Sequence, residues 1–358
     1  MNMWGRQVRH SVVSADPVAT GARSAIAPEV DCDFPDGVPS LKGAPGPVRY
    51  FRLARFMRRF DLILTYNWGA MDAVMAHRMF SPFMRLPPLV HHEDGFNADE
   101  AQRLYPRRNL FRRLALRSAH ALVVPSKRLH DIARARWRQA EHRIRLIANG
   151  IDVEAYGKAP EPGAIPGFER LSGKVVIGTL AGLRPVKNLR RLVRAVAPLG
   201  DAVQLVIVGE GPERDAILAQ ASALGVRGLV MPGFLPDPWK YIGNFDIFAL
   251  SSDSEQTPVS LIEAMAAGLP VAATDVGDVA SMLSPDNAPF IVPATDEHRF
   301  ADALAQLARN ATLRAKLGEA NRRRAGGLFR EDAMIEQYAA LYNDAMKSKF
   351  TVPEAGNG

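Results

Sequence analysis

The 358-residue chain contains a single cysteine, Cys32, which excludes an internal disulfide and any zinc site built on cysteines. No apolar run approaches the roughly 18 residues needed to span a bilayer. The opening MNMWGRQVRHSVV also lacks the apolar centre of a signal peptide. The expected setting is therefore the cytoplasm, at most the inner face of its membrane. No aromatic-basic motif of the nucleic-acid modules is present, so nucleic acid is not an expected partner. Internal sequence repeats are absent too. Acidic side chains are the scarcer charge, 38 against 45 Lys and Arg, for a formal charge of +7. That balance favours an anionic partner without choosing among membrane, nucleic acid and phosphorylated substrate.

What is present is ample core material, 47% apolar against 23% charged, in a chain long enough for two domains. The basic excess sits in the first half. Arg49, Arg52, Arg55, Arg58 and Arg59 mark one helical stretch, and Arg103, Arg107, Arg108, Arg112, Arg113 and Arg117 mark a second. In RRNLFRRLALR, Leu110, Leu114 and Arg117 share one side, with Phe111 beside them. Two readings stay open: a stripe resting on anionic lipid, or a core-facing stripe with solvated arginines.

Periodicity predicts alternating strands and helices. HSVVSA (10–15) reads as a short strand, and residues 16–47 as loop with at most one more. Helices are expected at 47–59, 69–80, 100–118 and 127–137, and strands at 61–66, 88–92, 121–125 and 144–148. Residues 157–173, rich in Gly and Pro, read as the linker between a domain at 1–160 and another at 170–330. The second half repeats the alternation. Strands are expected at 174–181, 203–208, 229–233, 246–251, 270–274 and 290–292, with helices at 187–199, 212–224, 238–243, 257–267 and 277–283 between them. Helices at 297–309, 311–325 and 331–348 close the chain. This is an α/β protein with mostly parallel sheets, and two such domains face to face would place their strand ends on either side of a cleft.

The stretch SDSEQTPVSLIEAMAAGLPV (252–271) concentrates the chemistry. Thr257 suits an N-cap and Pro258 the first helical position. The N–H groups of Val259, Ser260 and Leu261 then lack partners, with no acidic side chain in the first turn, so an anion fits there. The helix is apolar on nearly every side, which predicts a buried Glu263 in need of a partner. A core helix with one ion pair is the plainer alternative. Arg184 and Lys187, in GLRPVKN after the first strand of the second domain, could hold a diphosphate from the opposite side, or be two solvated cations. Gly209-Glu210-Gly211 fails as a dinucleotide fingerprint because Arg214 stands where the third glycine belongs, so a turn is expected. Asp31-Cys32-Asp33 reads as turn chemistry more than as a metal-holding Asp-x-Asp.

The order NGID (149–152), GLRPVKNLRRLVRA (182–195), VGEGPER (208–214), Glu255-x7-Glu263 and EAMAAGLPV (263–271) resembles the family-four retaining glycosyltransferases. It covers nearly the whole second domain. FDLILTYNWGAMDAVMAHRMF and PLVHHEDGFN resemble, more loosely, members that act in bacterial surface-polysaccharide assembly. The resemblance implies a GT-B fold, two Rossmann-like domains across a cleft, with the final helix 331–348 crossing back onto the first. It implies transfer of a sugar from a nucleotide-diphosphate sugar to a glycan or lipid-linked acceptor, with retention and without a metal or other cofactor. Arg184 and Lys187 would neutralise the diphosphate, and Glu263 would accept from the ribose hydroxyls. Glu255, Gln256, Thr257 and Pro258 would hold the sugar, above the helix end at Val259 and Ser260. Phe234 and Leu235 would meet the base through backbone groups. In the first domain His91, His92 and Asp94 compete for the role of acting at the sugar.

Three departures stand out. Gln256 replaces the usual glycine. The histidine near PLVHH is not singled out. Relatives also begin with a strand, a glycine-rich turn and a helix that this chain would lack, HSVVSA corresponding to their second strand. An incomplete N-terminal domain, from a start placed too late, is therefore expected, with poor solubility or activity. Two other readings are an epimerase of the same architecture and an inactive nucleotide-sugar-binding protein.

Overall fold

The computed structural model describes residues 1–14, 21–41, 43, 46–96, 100 and 104–347. Expectations for 15–20, 42, 44–45, 97–99, 101–103 and 348–358 lie outside the described residues. The chain divides into two compact units, one of Met1–Ala148 with the chain from Ala333 onward, the other Asn149–Asp332.

In the first unit, β1 (His10–Ser11) pairs in parallel with β2 (Cys32–Asp33), His10 opposite Cys32. Then follow α1 (Pro47–Met57), β3 (Ile63–Tyr66), α2 (Met71–Phe80), β4 (Leu89–His92), α3 (Pro106–Ala115), β5 (Ala121–Val124), α4 (Lys127–Ala135) and β6 (Ile144–Leu146). The last four strands form a parallel sheet in the order β3-β4-β5-β6. HSVVSA thus contributes to a separate two-stranded sheet. Asp33 accepts from the Ser11 hydroxyl there, which accounts for the Asp-Cys-Asp run as strand and turn chemistry. Among the described residues no group of three His, Cys, Asp or Glu side chains is placed to hold a metal ion.

Alternation on the strands explains why both sheet faces are covered. Leu122 and Val124 of β5 join Leu89, Leu53, Val74, Leu129 and Trp137 in one core. Ala121 and Val123 join Val90, Trp4, Leu341 and Tyr342 in the other. The helix expected at 100–118 is shorter, beginning at Pro106 after the extended Tyr105 and ending in a tighter turn at Leu116–Ser118. Its stripe is inverted relative to a core-facing reading. Leu110 and Leu114 are 54% and 43% exposed, while Arg112 is fully buried.

The second unit begins earlier than the expected linker, at Asn149. The Gly- and Pro-rich stretch is built into it: Glu161 N donates to Lys240 O at 2.7 Å, Leu171 N to Gln204 Oε1 at 2.9 Å, and Ile165 is buried. Its elements are β7 (Val175–Leu180), α5 (Leu189–Val196), β8 (Val203–Val208), α6 (Arg214–Ala223), β9 (Leu229–Gly233), β10 (Ile247–Leu250), α7 (Val259–Ala266), β11 (Val271–Thr274), α8 (Val279–Met282), β12 (Ile291–Val292), α9 (Glu297–Arg309) and α10 (Ala311–Leu328). α11 (Glu331–Met346) then returns to the first unit, where Leu341, Tyr342 and Ala345 are core residues. All neighbours in the six-stranded sheet β12-β11-β10-β7-β8-β9 are parallel. β8 is buried along its whole length, as a strand covered on both faces should be. The helix expected at 187–199 is interrupted: Asn188 sits at φ 43°, and its side-chain oxygen caps Arg191 N at 3.3 Å. Residues 238–243 form two tighter turns, Pro238–Lys240 and Ile242–Asn244, in place of one helix.

Among the described residues no helix is long and apolar enough to cross a membrane.

Candidate functional site

From β7 the chain of the second unit runs outward through β8 and β9, and from β10 in the opposite direction through β11 and β12. β7 and β10 are therefore adjacent strands whose following loops diverge. In open parallel sheets ligands bind at this switch point, beyond the carboxyl ends of the strands. The loop after β7 carries Arg184 and Lys187, and the loop after β10 carries Ser252 to Pro258 and leads into α7. The elements thus bring together the two stretches that the sequence singled out.

The loops are joined by a dense set of bonds. Asp253 N donates to Val186 O at 2.8 Å, and Ser251 Oγ donates to Lys187 O at 3.0 Å. Arg191, buried, reaches Ser251 O and Asp253 Oδ1, both at 2.8 Å. At the centre Lys187 Nζ lies 2.6 Å from Glu255 Oε1, which also accepts from Ser252 Oγ at 2.6 Å. Diphosphate and sugar contacts were expected of Lys187 and Glu255 separately; the structure pairs them with each other, both largely shielded from water. Arg184 is exposed, its backbone N–H turned onto Gly182 O at 2.7 Å, and it has no ion pair among the described residues.

The helix end differs in detail from expectation. Pro258, not Thr257, holds the cap position, with ψ at 117°. Leu261 N then reaches Pro258 O at 3.1 Å, so this N–H is satisfied. Among the described residues the N–H groups of Val259 and Ser260 have no hydrogen-bond partner, and no acid occupies the first turn. A partial positive charge is left at the switch point. The loop before the cap lies tightly against Gly277, at φ 59°, where a Cβ would come within 2.5 Å of Glu255 O. Gln256 O accepts from Asp278 N at 3.0 Å, and the Gln256 side-chain oxygen is buried without a partner.

Glu263, one turn into α7, is half-buried and accepts from Tyr156 Oη at 3.0 Å. Burial raises its carboxyl above the ordinary range, and the tyrosine offsets part of that rise. Tyr156 is a site residue the sequence reading missed, because a lone tyrosine in a turn has no period or motif to mark it. Tyr241 is another. Its hydroxyl donates to Leu235 O at 3.2 Å, so of the pair expected to meet a base, Leu235 has its carbonyl engaged while Phe234 stands 69% exposed. The failed fingerprint also has a role: a Cβ on Gly209 would lie 1.9 Å from Ala181 O. The glycine lets the turn after β8 support the Arg184 loop, which Leu183 completes by donating to Glu210 O at 2.8 Å.

In the first unit the expected residues separate. His91 is buried, bound to Thr65 Oγ1 at 2.9 Å and to Glu93 Oε2 at 3.5 Å. His92 is buried too. Its Nδ1 donates to Thr65 O at 3.3 Å and its Nε2 meets Tyr342 Oη at 3.0 Å. Burial lowers its pKa to about 4, which keeps the ring neutral. Neither nitrogen of His92 is left for a substrate. Asp94 alone of the three is exposed, and Asn67 holds it by two bonds, at 2.8 and 3.3 Å. Beneath lies a cluster the sequence did not announce. Arg112 spans Glu93 (3.1 and 3.2 Å) and Glu100 (3.2 Å) among Trp68, Phe96 and Trp137. Burial alone would raise Glu93; His91 and Arg112 overcome it and hold the carboxyl below its usual range.

Two parallel α/β units, the second with an anion-ready switch point, are the components of the GT-B fold. Residues 166–324 match the family described as Glycosyl transferases group 1, and residues 7–155 match Glycosyltransferase Family 4. Along the chain the Family 4 match comes first and the group 1 match second, and each spans less than half of it. It is 33% identical over 209 residues to a phosphatidyl-myo-inositol mannosyltransferase of Mycobacterium leprae, covering 56% of this chain and 54% of that one. It is 32% identical over 157 residues to the lipopolysaccharide core biosynthesis glycosyltransferase LpsE of Rhizobium meliloti, covering 43% and 46%. The chain thus spans about half the length of these curated relatives. Among solved structures, Anabaena Alr3699/HepE in complex with UDP-glucose superposes with a TM-score of 0.73 at 20% identity, covering 93% of this chain and 91% of that one. That likeness shows the fold.

Proposed function

We propose that the chain is a retaining glycosyltransferase that moves a sugar from a nucleotide-diphosphate sugar to a glycan or lipid-linked acceptor in surface-polysaccharide assembly. The observation that carries this reading is the meeting of the Arg184–Lys187 loop with the open N-terminus of α7 at the β7/β10 switch point. The diphosphate lies between Arg184 and Lys187 on one side and the Val259 and Ser260 N–H groups on the other. Its arrival competes with Glu255 for Lys187. Glu255, so released, and Gln256, with its unpartnered side-chain oxygen, turn to the sugar hydroxyls beside Thr257 and Pro258. Glu263 accepts from the ribose in place of Tyr156, and the base lies along Phe234 and Leu235. As the anomeric C–O bond to the diphosphate breaks, the acceptor oxygen bonds to the same face. The acceptor's proton goes to the departing diphosphate. Fixed cations and helix N–H groups stabilise the leaving charge, so these residues supply what a metal supplies elsewhere. In the first unit Asp94, held by Asn67, meets the acceptor. The setting we propose is the inner face of the cytoplasmic membrane.

Incubation with a panel of nucleotide sugars and glycan acceptors tests this reading through released nucleoside diphosphate. At least one donor is expected to turn over, and Arg184→Ala or Glu255→Ala to lower kcat/KM by roughly 10²- to 10³-fold. A new sugar nucleotide in place of released diphosphate would mean an epimerase. Silence with every donor would mean a binding protein, and either result overturns the proposal.

A further inference from the structure

At the carboxyl end of β3 the strand's alternation turns Tyr66 outward, with 51% of the residue exposed. An exposed tyrosine is ordinarily a mobile one, but this ring is backed by another. Its back lies on the His92 imidazole, centroids 4.5 Å apart and planes 15° from parallel. The Tyr342 phenol lies in its neighbourhood, as the mutual influence of the two hydroxyls on their ionisation shows. The directions of the His92 bonds follow from the acceptors. Thr65 O can only accept, so His92 Nδ1 carries the proton and Nε2 accepts from Tyr342. The result is a flat aromatic face, supported from beneath and open above.

The rim of this face is polar and equally fixed. Asn67 adopts φ 55°, an unusual conformation for a side-chain-bearing residue, and both ends of its amide grip Asp94. Asp94 Oδ1 has no partner among the described residues. Tyr338 of α11 lies beside His92 and Tyr342, centroids 5.8 and 5.7 Å away. After burial, the Asp94 carboxylate is the next influence raising the Tyr338 phenol, which puts the acid and both tyrosines within one neighbourhood.

We propose that Tyr66, with Asn67, Asp94 and Tyr338 at its edge, is a platform on which a pyranose ring of the acceptor stacks. This rests on the glycosyltransferase reading and names the class of acceptor, a carbohydrate. A pyranose presents an apolar C–H face and a perimeter of hydroxyls. The platform offers an apolar ring face, a free carboxylate oxygen and phenol hydroxyls. Its place at the carboxyl edge of β3 and β4 is where parallel sheets take ligands. A nucleobase would also stack on tyrosine, but its phosphates would then approach Asp94. Because ring, amide and carboxylate are already ordered, binding need not immobilise them, which favours affinity. The two buried histidines thereby acquire a positioning role: His92 sets the plane of Tyr66, and His91 holds Thr65 beside it.

Saturation-transfer NMR on the full chain, with methyl glucoside, galactoside, mannoside and N-acetylglucosaminide as probes, tests the platform. UDP and GDP in the same samples report the switch point of the second unit. At least one pyranoside is expected to receive saturation at its ring C–H protons. Tyr66→Ala should weaken that binding roughly tenfold, a loss typical of an aromatic contact. Tyr66→Phe, which keeps the ring and folds around the same histidine, should stay within a fewfold of the native protein. Nucleotide signals should be unchanged in both. Pyranoside binding that survives Tyr66→Ala, a loss in Tyr66→Phe as large as in Tyr66→Ala, or no binding by any pyranoside would overturn the proposal. So would nucleotide signals that fall with Tyr66→Ala. Pyranosides that bind while neither nucleotide does would instead count against the glycosyltransferase reading and leave the platform standing.

Discussion

Glu263 ionises against its surroundings, and the consequences for folding and for binding have opposite signs. Burial raises its carboxyl from the ordinary 4.5, so its contribution to stability is complete below that pH and is lost as pH rises through the folded-state value. A ribose donating two hydroxyls favours the ionised form. Nucleotide affinity should therefore increase with pH across the same window, from 4.5 upward. Titrations of nucleoside diphosphate at a series of pH values should show this slope in the native protein, and Glu263→Gln should flatten it. An unchanged slope would remove Glu263 from the ribose contact. Residue-scale partners were also the least legible part of the sequence. The spacing of Glu255 and Glu263 announced two carboxylates, but nothing in the order of residues pairs Lys187 with Glu255 or Tyr156 with Glu263. Those pairs come from loops joined by tertiary structure. Arg112 makes the same point more sharply. In the sequence it is one of six arginines in a basic run, yet it is fully buried between two glutamates while Arg107 and Arg117 remain exposed. A guanidinium can be buried only where several acceptors converge, and only the fold brings Glu93 and Glu100 there.

At the scale of elements, periodicity was a good guide and end points were not. β8 and β9 run from Val203 to Val208 and from Leu229 to Gly233, as their apolar runs imply. α5 and α7 begin later than their patterns suggest, because Asn188 and Pro258 take cap positions with extended or left-handed backbone. α3 shows what pattern alone leaves open. Its stripe of Leu110 and Leu114 is exposed, and Arg107, Arg113 and Arg117 lie along or just after the helix. We propose that this face rests on anionic lipid, where a lipid-linked acceptor would be met. Co-sedimentation with phosphatidylglycerol vesicles at low salt should retain the native chain. Leu110→Glu with Leu114→Glu should release most of it. Equal retention on neutral vesicles, or no effect of the double substitution, would show that α3 is a solvated surface.

At the scale of the molecule, the alternation of strands and helices and the motif order from Asn149 to Val271 sufficed to place two parallel α/β units and the GT-B class. The boundary was less legible. A Gly- and Pro-rich stretch reads as a linker, whereas Glu161, Ile165 and Leu171 show that such a stretch also serves when chain is folded tightly into a unit. The histidines were the other limit. HHEDG leaves His91, His92 and Asp94 competing for one role, and only the sheet turns the two histidines inward and leaves Asp94 at the surface.

The central claim is that the switch point between β7 and β10 holds a nucleoside diphosphate, and calorimetric titration of UDP and GDP into the full chain tests it most directly. One of the two should bind, and Arg184→Ala should weaken that binding at least roughly tenfold, as expected for loss of a charge-assisted phosphate contact. The native affinity should also fall as salt is raised. Equal affinity in Arg184→Ala and the native protein would contradict the account.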